Sequence, residues 1–114
     1  TLAMSYAQFY PEEVTELVLR GIFMLRKKEI DWFYQKGASF IYPEEWTRYI
    51  SIVPESDRGD LLDAYHQLVH FGTETQRVIA ARAWSRWEGA TSSLIQSEAL
   101  IDHFIEDKFS FALA

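Results

Sequence analysis

Apolar positions recur at helical spacing along most of the chain, with one break near the start. Leu2, Ala3, Tyr6, Ala7 and Tyr10 mark a first helix opening at Thr1, and Pro11 ends it. The period then changes. Val14 to Phe23, V-T-E-L-V-L-R-G-I-F, centres on the continuous run Leu17-Val18-Leu19 with Gly21 behind it, the pattern of a strand buried on both faces. From about Met24 the helical period returns. Ile30, Phe33 and Tyr34 share a face, with Gly37 as a C-terminal stop. Pro43 takes a first-turn position, with Glu44 and Glu45 at the positive end of the helix dipole. After Pro54, residues Leu61, Leu62, Tyr65, Leu68 and Val69 form a stripe closed by Gly72. Thr73 and Gln76 make a capping-box pattern that opens the next helix. Its stripe is Ala80, Ala83, Trp84 and Trp87, and it is expected to end at Gly89. A last helical segment is expected from about Ser97 to the C-terminus, with an interruption near Asp107.

A single strand is not stable in water, and nothing after Phe23 reads as a second one. Val14–Phe23 is therefore expected either to pair with another copy of the chain, giving a homo-oligomer, or to belong to a larger sheet. The expected fold class is mainly α, in two parts: residues 1–23, a helix then a strand of α/β type, and residues 24–114, all helical. No Met stands at position 1, and F-S-F-A-L-A closes the chain without a polar stop. Both ends are expected to be internal to a longer protein.

Composition narrows the function classes. At 114 residues there is room for one small domain. The chain is 48% hydrophobic and 16% aromatic, too apolar for a disordered tail. A net charge of -6 argues against nucleic acid as a partner, because phosphate binding needs clustered Lys and Arg. With no cysteine, disulfides, thiolate metal sites and cysteine nucleophiles are all excluded. That usage fits a reducing, cytoplasmic setting. No apolar run approaches the roughly 20 residues of a membrane span, and no membrane partner is expected.

Candidate chemistry is sparse. In A-W-S-R-W-E-G-A-T-S, Ala83 to Ser92, Glu88 lies on the shoulder of the apolar stripe. The positions three and four away are Trp84, Ser85, Thr91 and Ser92, none of them basic, so the helix offers it no ion-pair partner. Two readings stay open: a solvated boundary carboxylate, or a carboxylate facing an aromatic-walled cavity and suited to a cation. His66 and His70 have metal-ligand spacing, but Gln67, Leu68 and Val69 supply no glutamate between them, and no metal is expected. Arg26-Lys27-Lys28 sits beside Glu29 and Asp31 and reads as a solvated face. Neither a Gly-rich phosphate loop nor G-x-S-x-G occurs, so no catalytic residue is assigned.

Five stretches taken in order are more specific: T-L-A-M-S-Y-A-Q, V-T-E-L-V-L-R-G-I-F-M-L-R, W-F-Y-Q-K-G-A-S, R-G-D-L-L-D-A-Y-H and A-W-S-R-W-E-G-A-T-S. Together they resemble the proline iminopeptidases, serine exopeptidases of the α/β-hydrolase fold, over nearly the whole chain. The resemblance implies that Thr1-Leu2-Ala3 begins the helix after the nucleophile, with the serine itself just before Thr1. It implies that Val14–Phe23 is a core strand and that residues from Met24 onward are most of the helical cap. The acid and histidine of the triad would follow the cap. Glu88 matches a cap carboxylate that binds the amino group of an N-terminal proline, and a second such glutamate would follow a segment like F-A-L-A. Phe23 and Phe33 match aromatic residues of the proline pocket, the latter usually tyrosine. The implied partners are peptides with N-terminal proline and the rest of the hydrolase domain, with no cofactor. The rival expectations are a stand-alone helical interaction module and the cap of a different hydrolase, such as an esterase or epoxide hydrolase.

Overall fold

Several of the helices start where a local signal satisfies their first N–H groups. The structure, a computed structural model, describes residues 2–106. Helix α1 spans Leu2–Phe9, and Pro11 opens a short 3-10 turn, Pro11–Glu13. Helix α2 spans Lys27–Tyr34; the Glu29 carboxylate accepts from the Arg26 N–H at 3.0 Å and the Met24 N–H at 3.1 Å, closing its N-terminus. Helix α3, Pro43–Ser51, has proline in its first turn followed by Glu44 and Glu45, as the sequence indicates. Helix α4, Leu61–Phe71, is capped by the Asp60 side chain, which accepts from the Asp63 N–H at 3.1 Å. Helix α5, Glu74–Thr91, opens on the expected capping box: Thr73 accepts from the Gln76 N–H, and Gln76 accepts from the Thr73 N–H. Helix α6 spans Glu98–Glu106. The expected opening at Thr1 and the continuation of the last helix past Glu106 lie outside the described residues.

Helix α5 is the axis of the fold and packs against α3, α4 and α6. Its two tryptophans organise the core. The Trp87 ring lies 5.2 Å from that of Tyr49, 5.3 Å from Trp46 and 5.8 Å from Phe33. One turn earlier, Trp84 lies 5.3 Å from Tyr65 and stacks on Tyr34 at 4.7 Å. Trp87, Tyr49, Tyr65 and Leu61 are almost wholly buried. On α4 the expected stripe shifts slightly, because Ala64 is buried and Leu62 exposed. Polar ties accompany the packing. Buried Glu45 on α3 accepts both Arg86 Nε at 2.8 Å and Arg86 Nη2 at 2.9 Å, while Arg48 reaches it at 2.6 Å. Arg86 also donates to Glu98, so one guanidinium links α3, α5 and α6. A buried carboxylate without these donors would be strongly destabilising. The Gln35 side chain joins the end of α2 to the start of α4, donating to the Arg58 carbonyl and accepting from the Leu61 N–H at 2.8 Å.

Two readings change. Among the described residues there is no strand: Val14 has extended dihedrals, but Val14–Phe23 enters no ladder and is largely exposed. An extended segment becomes a strand only when a neighbour takes its backbone groups, and none is present among the described residues. Gly21 and Leu25 both adopt left-handed backbone, with φ of 58° and 56°, which bends the path into α2. Second, α5 does not stop at Gly89 but runs through it to Thr91. A Cβ on Gly89 would meet the Phe104 side chain at 3.0 Å, so this glycine serves close approach of α6 rather than termination.

Candidate functional site

Glu88 lies in the last turns of α5, immediately after the most buried tryptophan of the core. Its carboxylate is half-buried and forms no ion pair among the described residues. Its partner comes from far along the chain: the Tyr34 hydroxyl donates to Glu88 Oε1 at 2.5 Å, across 54 residues. Burial pushes the Glu88 carboxyl above its ordinary range, and the tyrosine hydrogen bond pulls the other way. Tyr34 itself is driven well above the usual phenol range, first by burial and then by the adjacent carboxylate, so it keeps its proton and remains a donor.

The other two candidates join this pair through ring contacts. Phe33 packs edge-on to Tyr34 at 4.7 Å and lies 5.8 Å from Trp87. Phe23 reaches Phe33 at 6.5 Å from the bent segment before α2, and is itself partly exposed. Phe23, Phe33, Tyr34 and Glu88 thus form one continuous line of contacts. Tyr34 carries no signal of a role in the sequence beyond its place on the Ile30–Phe33–Tyr34 face, and no local spacing points from residue 34 to residue 88.

The arrangement offers a half-buried carboxylate whose Oε1 is held by the Tyr34 hydroxyl and whose Oε2 has no hydrogen bond among the described residues. Such a group attracts a compact cation more strongly than an exposed one does. Three cavities, of about 620, 560 and 180 Å³, are lined by other residues. The smallest runs between Tyr65, His66, His70 and Trp84 on α4 and α5. His66 and His70 are exposed, with ring centroids 4.6 Å apart. Among the described residues no three His, Asp or Glu side chains gather as a metal would require, and no helix is long and apolar enough to cross a membrane.

No family model matches the chain. Individual relatives do. A proline iminopeptidase of Xylella fastidiosa is 50% identical over all 114 residues, which cover 36% of its own length. The Arabidopsis thaliana proline iminopeptidase is 48% identical across the whole chain, covering 30% of its length, and that of Xanthomonas citri is 43% identical, covering 36%. The chain therefore spans about a third of the length of the curated relatives it matches. From end to end, these 114 residues are homologous to a segment of the proline iminopeptidases.

Proposed function

We propose that the chain is the substrate-recognising, cap part of a serine exopeptidase that releases N-terminal proline, with Glu88 binding the free amine. The observation that carries this is the half-buried Glu88 carboxylate, without a cationic partner among the described residues and bonded to Tyr34, whose ring packs on Phe33 and Trp84. A positively charged secondary amine supplies the missing charge. The flat proline ring suits aromatic walls, with Phe23 and Phe33 as its contacts. Anchoring the amine sets the first peptide bond, and no later one, at a fixed distance from the nucleophile. Acyl-enzyme formation by serine, with histidine as base, belongs in this reading to parts of the protein outside these residues. Residues 1–23 belong to the hydrolase core and residues 24–114 to the cap, and the rest of the core is the partner that Val14–Phe23 lacks.

The test is Glu88→Gln in a full-length protein carrying this sequence. On proline amides kcat/KM is expected to fall roughly a hundredfold, because a desolvated charge pair is lost. Unchanged kinetics with intact folding would overturn the assignment. Hydrolysis of N-blocked proline substrates as fast as free ones would instead favour a cap from another hydrolase class.

A further inference from the structure

We propose that Tyr34 is a positioning residue for Glu88, holding Oε1 so that Oε2 is presented to the ammonium group of a ligand; this rests on the amine-binding reading of Glu88. A glutamate side chain has three rotatable bonds, and freezing them on ligand arrival costs conformational entropy. Here much of that cost is met in advance. The Tyr34 hydroxyl fixes one carboxylate oxygen at 2.5 Å, and the tyrosine is itself held on both sides. Its ring stacks on Trp84 at 4.7 Å with an interplanar angle of 16°, and Phe33 meets it edge-on at 4.7 Å and 87°. Trp84 is pinned in turn by Tyr65 and Tyr49. The hydroxyl is thus delivered from α2 to the end of α5 by a ring that has little room to swing. A second consequence is chemical. Burial disfavours the ionised Glu88, and the hydroxyl bond pulls the other way, so the same contact favours the charge that an ammonium needs.

The experiment uses a full-length protein carrying this sequence, with Tyr34→Phe, Glu88→Gln and the double variant. Two ligands are titrated by calorimetry. Prolinamide carries the ring amine, and cyclopentanecarboxamide has the same ring with CH₂ in place of the nitrogen. Tyr34→Phe keeps the ring and its stacking, so the neutral ligand reports on packing. The expected result is about tenfold weaker prolinamide binding in Tyr34→Phe, as befits loss of a charge-assisted hydrogen bond. Cyclopentanecarboxamide binding is expected to stay unchanged, and Tyr34→Phe to add nothing once Glu88 is glutamine. Equal weakening of both ligands would overturn the proposal and leave Tyr34 a packing residue. Loss of prolinamide binding in Glu88→Gln but not in Tyr34→Phe would overturn it while Glu88 kept its role. Full prolinamide binding in Glu88→Gln would sink the amine reading and the proposal together.

Discussion

Residues 2–26 carry a higher share of apolar residues than residues 27–106, and the two regions use them differently. Between Leu2 and Leu25 no described residue is buried, and Leu2, Phe9, Val18 and Leu25 are each more than 60% exposed. From Ala38 onward a core closes around Tyr49, Tyr65, Leu61 and Trp87. The difference lies in available partners rather than in composition. Helices α3, α4, α5 and α6 are connected by short loops and can cover each other's stripes. Helix α1 touches little beyond the turn that follows it, and Val14–Phe23 has no ladder to join among the described residues. The Cα radius of gyration, 16.5 Å, against about 13 Å for a compact domain of this length, reflects that contrast.

The comparison is most sharply tested by truncating one large side chain in each region. Trp87→Ala removes the ring on which Phe33, Trp46 and Tyr49 converge and should cost about 3–5 kcal/mol. Val18→Ala, at a side chain 87% exposed, should change stability by less than about 0.5 kcal/mol. Urea unfolding followed by circular dichroism measures both, and similar midpoints for the two variants would erase the distinction between regions.

A smaller effect separates two glycines. Gly37 has φ of 156°, and a Cβ there would stand 2.3 Å from Trp32 Cδ1, so Gly37→Ala should cost about 1–3 kcal/mol. Gly21, with φ of 58°, has nothing within 4 Å of where a Cβ would sit, and it lies in the region without a core. Its strain is relieved locally, and Gly21→Ala should leave the main unfolding transition within about 0.5 kcal/mol of its original stability. The same titrations decide this, and a larger loss at Gly21 would show that residues 2–26 unfold together with the rest.

The smallest effect concerns pH at the junction between the regions. The Glu29 carboxyl is held down to about 2, chiefly by its side-chain hydrogen bond from Arg26, with further help from the Arg26 and Met24 N–H groups. A depressed carboxyl contributes stability above its ordinary value of 4.5, and that contribution disappears as pH falls toward about 2. Glu88 has the opposite sign: its raised carboxyl disfavours the folded state as it ionises, so Glu88→Gln should not lower Tm at neutral pH. Glu29→Gln should lower Tm slightly at pH 7 and not at pH 2. Thermal melts at both values check this, and an equal deficit at both would remove the ionic explanation.

Much of the helical order was legible because its signals are local. Pro11, Pro43, Gly72 and the Thr73–Gln76 box each act within one turn, and each delimits an element where expected. What escaped depends on distance. Arg86 and Glu45 are 41 residues apart, and nothing near either shows that they pair. Glu88 reads as partnerless within its own helix, which is true, yet its hydroxyl donor sits on α2. Gly89 reads as a stop because glycine usually is one there; only the neighbouring Phe104 reveals the packing reason. The run Val14–Phe23 has the composition of a buried strand, but a strand is a relation between segments. Its apolar residues state what kind of neighbour they suit and cannot supply one.

The Gln35 amide has a mechanical consequence. By holding the Arg58 carbonyl and the Leu61 N–H at once, it couples the C-terminal end of α2 to the first turn of α4. Phe33 and Tyr34 ride on that end of α2. Moving that end of α2 away from α5 must therefore drag the α4 terminus or break two hydrogen bonds, which turns a short eight-residue helix into a braced strut.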